Sequence, residues 1–106
     1  MNKWTQRFEY IESYVESYAP ELAGVYRLIY NLGDKYYVFY VGQSNNLRRR
    51  LREHLDVSES DSCIKKHLQG YRCFFRYVEI DSQEERNKVE AQSIEEYNPT
   101  CNSKVN

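Results

Sequence analysis

Two tyrosines, an arginine, a histidine and a glutamate carry the chemistry expected of this chain. Tyr26 and Tyr40 lie in apolar runs, Gly24–Tyr30 and Lys35–Gly42, joined by Asn31-Leu32-Gly33-Asp34, which read as a β-hairpin. A three-residue loop, Leu32–Asp34, pairs Asn31 with Lys35 and sets Tyr26 directly opposite Tyr40 on one face. Such a pair is either ordinary sheet packing or two phenols at a site. After Gly42, the leucines at 47, 51 and 55 recur in steps of four, the buried stripe of a helix from about Asn45 to Leu55. Arg50 and His54, four residues apart, share one border of that stripe, where a side chain can lean over the sheet. Arg48 and Arg52 fall on the opposite border, and Arg49 points away. A basic helix can simply be solvated, but at Arg50 position and charge together favour a bound anion.

The last helix holds an unusual carboxylate. A capping box, Ser82-Gln83-Glu84-Glu85, opens it, and it ends before Asn98-Pro99. Its inward face includes Arg86, Val89, Ser93, Ile94 and Tyr97, with Glu90 inside the same arc. Glu84, Lys88, Glu95 and Glu96 lie on the far side. A carboxylate among apolar groups is costly unless an arginine or a metal compensates it. Two readings follow, a Glu90–Arg86 salt bridge or a metal ligand.

These groups need elements to position them. Trp4, Phe8, Ile11, Val15 and Tyr18 are spaced as one stripe of a helix over residues 3–18, stopped by Ala19-Pro20. A further helix runs from about Asp61 to Leu68, closed by Gly70, and Cys73–Ile80 is a third strand. The order α-β-β-α-α-β-α predicts an α+β fold, a small three-stranded antiparallel sheet flanked by helices. An N-terminal amphipathic helix extension (1–22) would precede the main domain (23–106).

Composition excludes more than it assigns. A chain of 106 residues is one domain. No apolar run reaches the roughly 20 residues of a membrane span, so a soluble cytoplasmic protein is expected, with no membrane partner. Cys63, Cys73 and Cys101 lack paired zinc-site spacing and are expected to be reduced. Tyrosine is abundant, 11 residues. With 15 basic and 16 acidic side chains the total is −1, no sign of a nucleic-acid protein. Divided along the chain, however, residues 43–76 carry +4, and residues 77–106 carry −4. The near-neutral sum hides a basic segment, the one containing Arg50.

Gly24-Val25-Tyr26, Tyr40-Val41-Gly42, an arginine ten residues beyond Tyr40, and Glu90-Ala91 leading to Asn98-Pro99 and Asn102 form an ordered set. The set resembles the GIY-YIG endonuclease family, over about Ala23 to Asn102. It is most similar to the N-terminal incision domain of the bacterial nucleotide-excision-repair nuclease, and more distantly to homing endonucleases. The resemblance implies hydrolysis of DNA phosphodiesters with one divalent cation, Mg²⁺ or Mn²⁺. It implies that Tyr40 takes a proton from the attacking water, Tyr26 orients that water, and Arg50 binds the scissile phosphate. His54 would stand near the reacting groups, Glu90 would bind the metal, and Gly24, Gly42 and Asn102 would support the site. Both motifs carry Val where the family name has Ile, and Gln43 stands where the repair relatives carry lysine.

DNA would be held through Gln43, Arg48, Arg52, Lys65, Lys66, Arg72 and Arg76, phosphate contacts that confer affinity without sequence choice. The N-terminal helix would dock on the domain or serve a homodimer or a larger repair or recombination complex. Two alternatives accompany the nuclease: a non-catalytic DNA-binding module, and a subunit that cuts only within a larger complex.

Overall fold

The alternation of β-branched and aromatic residues after Ala23 does produce a hairpin, but its turn is tighter than expected. In a computed structural model that describes residues 3–102, β2 (Gly24–Leu32) and β3 (Lys35–Ser44) are joined by Gly33-Asp34, with Gly33 at φ 66°. The left-handed conformation that a two-residue hairpin turn demands is why glycine stands there. Leu32 pairs with Lys35, and the register then slips between Leu28 and Ile29, leaving Phe39 as the extra residue of a β-bulge. Tyr40 therefore pairs with Leu28, and Tyr26 with Gly42. The direct Tyr26–Tyr40 pairing expected from a three-residue loop is replaced by a diagonal one. The bulge keeps Phe39 and Tyr40 on one face, and the two phenol rings still meet, 6.1 Å between centroids.

Helices cover both faces of the sheet. Leu47 and Leu51 of α2 (Leu47–Leu55) and Ile64 of α3 (Ser62–Gly70) bury against Tyr26, Leu28, Phe39 and Phe75. The Asn46 side chain caps α2 at Arg49 N, and the Asp61 side chain caps α3 at Cys63 N and Ile64 N. On the opposite face Val89 of α4 (Gln83–Tyr97) packs on Val25, Val41 and Val78. Ser82 caps α4 at Glu85 N, and Asn98 at φ 44° ends it before Pro99. A short 3-10 turn, Thr100–Asn102, follows. No helix among the described residues is long and apolar enough to cross a membrane.

The N-terminal helix over residues 3–18 does not form as one piece. Residues Phe8–Glu9 are a strand, β1, and only Glu12–Tyr18 is helical, as α1. β1 pairs with the edge of β4 (Cys73–Glu79), Phe8 opposite Phe75, and makes the sheet four-stranded, in the order β1-β4-β2-β3. Unpaired edge groups of β4 take Thr5 N at Tyr77 O and Tyr10 N at Cys73 O, and this tertiary pairing overrides the helical spacing. Phe8 then stacks on Tyr18 in the first core cluster, whereas Trp4 joins the second on the other face. Of the side chains expected as an amphipathic partner surface, Trp4, Phe8 and Val15 are used within the fold, while Ile11 and Tyr18 stay exposed.

The cysteines also depart from expectation. Cys63 and Cys101 form a disulfide that ties the start of α3 to the 3-10 turn, while Cys73 alone is free and buried. Burial pushes the Cys73 thiol up to about 12. The bond closes a loop between residues 38 apart. Chain entropy then gives it up to about 3–4 kcal/mol of stability. Urea denaturation with and without reductant should show a drop of that order, and Cys101→Ser should be insensitive to reductant.

Candidate active site

A phenol buried in an apolar core must place its hydroxyl on an acceptor. Tyr26, 1% exposed, meets His54 Nε2 at 2.7 Å, and His54 in turn meets Glu59 Oε1 through Nδ1 at 3.1 Å. The carboxylate can only accept, so Nδ1 carries the proton, Nε2 presents its lone pair, and Tyr26 donates. Glu59, Gly42 and the helix dictate the geometry. Leu47 and Leu51 anchor α2 in the core and turn His54 inward, where it is 1% exposed. A Cβ at Gly42 would lie 2.5 Å from the Tyr26 hydroxyl and 2.9 Å from the Tyr40 ring. The missing side chain is the space the phenol occupies. At Gly24 a Cβ would lie 2.2 Å from the Val78 carbonyl oxygen, so the strands could not approach as they do.

Tyr40 stands beside this line, its ring 5.7 Å from the His54 ring. Burial pushes both phenols up, and the Glu90 carboxylate adds to that; the Arg50 guanidinium opposes it in both. The hydrogen bond between the two phenols also lowers the Tyr40 value. Burial pushes His54 below its ordinary value, against the hydrogen bond it donates to Glu59, which pulls it up, with Arg50 reinforcing the fall. Arg50, half-buried on α2, pairs with Glu53 at 3.2 Å and also hydrogen-bonds the Tyr26 phenol, so its guanidinium faces the site.

Glu90 does not pair with Arg86. Arg86 turns back to cap the chain before its own helix, donating to the Ile80 and Asp81 carbonyls and to Gln83. Glu90 Oε1 instead accepts from Gln43 Nε2 at 2.9 Å, and Gln43 is held by Asn87 and Gln83. Gln43, expected as a DNA contact, is the residue that aims Glu90 past the β3 edge. Among the described residues no donor is seated on Glu90 Oε2. A half-buried carboxylate with one free oxygen fits a hard divalent cation that keeps several waters. Cys63, His67 and Cys101 also converge, with ligand atoms within 4.8 Å. Their donors are soft and the two sulfurs are bonded to each other, so they do not suit magnesium.

Asn102 clamps β3 beside Tyr40. Its Oδ1 accepts from Val41 N at 2.7 Å and its Nδ2 donates to Val41 O at 2.9 Å, completing an edge that has no further strand. The expected DNA contacts are placed less favourably. Arg48 is bound to the Ala19 carbonyl and Glu21, Arg52 to Glu16, and Arg72 to Glu9. Lys65 reaches the Val57 carbonyl, and Lys66 is exposed. Arg76 pairs with Arg27 on the face opposite Tyr40, away from the site. Glu59 was not expected at all. It lies in the polar stretch Asp56–Asp61, and nothing but its place five residues after His54 distinguishes it.

Such a site, on a sheet edge and backed by a buried polar line, defines a small α+β catalytic domain. The chain belongs to the GIY-YIG family, whose model, described as GIY-YIG catalytic domain, matches residues 22–106. It is 31% identical over 84 residues to UvrABC system protein C of Rickettsia canadensis, covering 79% of this chain and 12% of that protein. The corresponding Bdellovibrio bacteriovorus protein is 29% identical over 101 residues, 95% of this chain and 15% of that one. The chain thus spans a small fraction of these relatives. The GIY-YIG N-terminal endonuclease domain of UvrC from Thermotoga maritima, solved bound to magnesium as its catalytic divalent cation, shares the fold. Its TM-score is 0.65 at 22% identity, covering 88% of this chain and all of that one.

His54 links the site to stability. With its folded value depressed, the unfolded chain takes up the proton first, so stability is present above the unfolded value of about 6.5 and falls as pH drops through it. Thermal melts from pH 7.5 to 5 should show this loss, and His54→Gln should flatten it.

Proposed function

We propose that this chain is a metal-dependent DNA endonuclease that hydrolyses phosphodiester bonds at the Tyr26–Tyr40–Arg50–His54–Glu90 site. The observation that carries the reading is the hydrogen-bonded line Glu59–His54–Tyr26, which ends beside Tyr40 and Arg50. Arg50 binds the scissile phosphate, its planar guanidinium matched to two phosphoryl oxygens. Tyr40 receives the proton of the attacking water. A neutral phenol is a weak base, so its own proton must leave. Tyr26 and His54 provide the route: the Tyr26 proton passes to His54 Nε2 as the Tyr40 proton passes to Tyr26, and Glu59 stabilises the imidazolium. Glu90 holds a divalent cation, Mg²⁺ or Mn²⁺, oriented by Gln43. Bound there, the cation would stabilise charge developing on the phosphate and would offset the upward push of Glu90 on both phenols. Asn102 keeps β3, and hence Tyr40, in place.

DNA is the substrate and the cytoplasm the setting in this reading, with residues 22–106 as the catalytic unit. A second reading is a subunit that cuts only within a larger complex. It is favoured by the ion pairs that occupy Arg48, Arg52 and Arg72.

Supercoiled plasmid incubated with the chain and Mg²⁺ should be nicked, and chelation should stop it. Tyr40→Phe and Glu90→Ala should each lower the rate by about 100-fold or more. Wild-type binding without nicking would support the non-catalytic module. Glu59→Gln should also slow cleavage, by about 10–100-fold. Because Glu59 raises the His54 value, its removal should move the acid limb of the pH–rate profile to lower pH, while Tyr40→Phe leaves no such shift.

A further inference from the structure

The face of the sheet away from the active site holds a second concentration of positive charge. Arg27 of β2 and Arg76 of β4 are directly paired across the strands. Like charges at opposed positions repel, and partial burial strengthens the repulsion. Arg27 is 8% exposed, and it spends its two terminal nitrogens on Ser93 Oγ at 3.1 Å and the Tyr97 hydroxyl at 3.3 Å. Its guanidinium lies 3.7 Å from the centroid of the Trp4 ring. The Nε atoms of both Arg27 and Arg76 are buried with no hydrogen-bond partner. Among the described residues, neither arginine forms an ion pair, and Glu96 is the acid within electrostatic reach of Arg27.

These two arginines and Arg7 line a cavity of about 150 Å³ with Ile29, Tyr36, Val38 and Tyr97. That is roughly ten times the space one water requires. Arg7 rests on the Tyr36 ring at 3.7 Å and is exposed at its outer end. Among the described residues, no carboxylate lines the cavity. We propose that the Arg7–Arg27–Arg76 cavity is a phosphate-binding site, separate from the catalytic edge. A carboxylate offers two acceptor oxygens in one plane, whereas a phosphate group offers its oxygens tetrahedrally to three planar N–H forks, with up to two charges when free and one within a strand. The cavity takes the phosphate either free or as part of a nucleic-acid strand. It does not depend on the catalytic reading of the other face.

Trp4 is the only tryptophan and touches Arg27, so its emission reports occupancy. The folded chain is titrated, at constant ionic strength, with inorganic phosphate, with chloride, and with a short single-stranded oligothymidylate. A saturable change with phosphate and not chloride supports a site that accepts free phosphate. A change with the oligonucleotide alone supports a strand phosphate. Arg76→Gln should weaken either response by about tenfold or more. Arg7→Gln, at an exposed position, should weaken it too and serves if Arg76→Gln fails to fold by circular dichroism. No saturable response to phosphate or oligonucleotide, an equal response to chloride, or undiminished affinity in a folded variant overturns the proposal.

Discussion

Much of this molecule is arranged around one hydroxyl group that cannot reach water. Tyr26 is inside the core, and leaving its hydroxyl without an acceptor would cost about 1–3 kcal/mol. The need for an acceptor brings His54 off the inner border of α2, and a neutral, singly oriented imidazole brings Glu59 behind it. The same phenol requires that Gly42 have no side chain and that β3 lie flat against β2 at that point. One buried group thus couples the glycine of one motif to the tyrosine of the other, and both to the α2–α3 connection.

The β3 edge at the candidate site is built differently, from polar contacts at a strand without a further neighbour. Asn102 supplies to Val41 the two hydrogen bonds that a further strand would have made, and Gln43 spans from the same strand to Glu90. The disulfide at Cys101 lies next to Asn102 in sequence and ties that clamp to α3. An edge left open to substrate is in this way held by side chains rather than by another backbone.

Charge shows how the parts balance. Segment 43–76 carries +4, yet three of its arginines, Arg48, Arg52 and Arg72, meet Glu21, Glu16 and Glu9, all from the N-terminal segment. These are exposed pairs of modest energy. Their effect is on the surface field, which they reduce around α2 while leaving Arg50 turned toward the site.

Local pattern determined the elements from Ala23 to Tyr97, because strand alternation, the leucine stripe and the Asn46, Asp61 and Ser82 caps act within a few residues of chain. It also marked the candidate site side chains, since a buried-face glutamate and an arginine beside an apolar stripe are visible in periodicity alone. Tertiary structure decided what depends on distant partners. The free edge of β4 drew residues 8–9 into a strand and separated Trp4 from Phe8, a choice invisible to a helical spacing rule. The bulge at Phe39 changed the tyrosine pairing from opposite to diagonal without moving either phenol off the shared face. Glu59, the Gln43–Glu90 contact and the Cys63–Cys101 bond join residues whose proximity exists only after the sheet and helices have packed. Sequence named the groups that could do chemistry, and packing assigned each of them its partner.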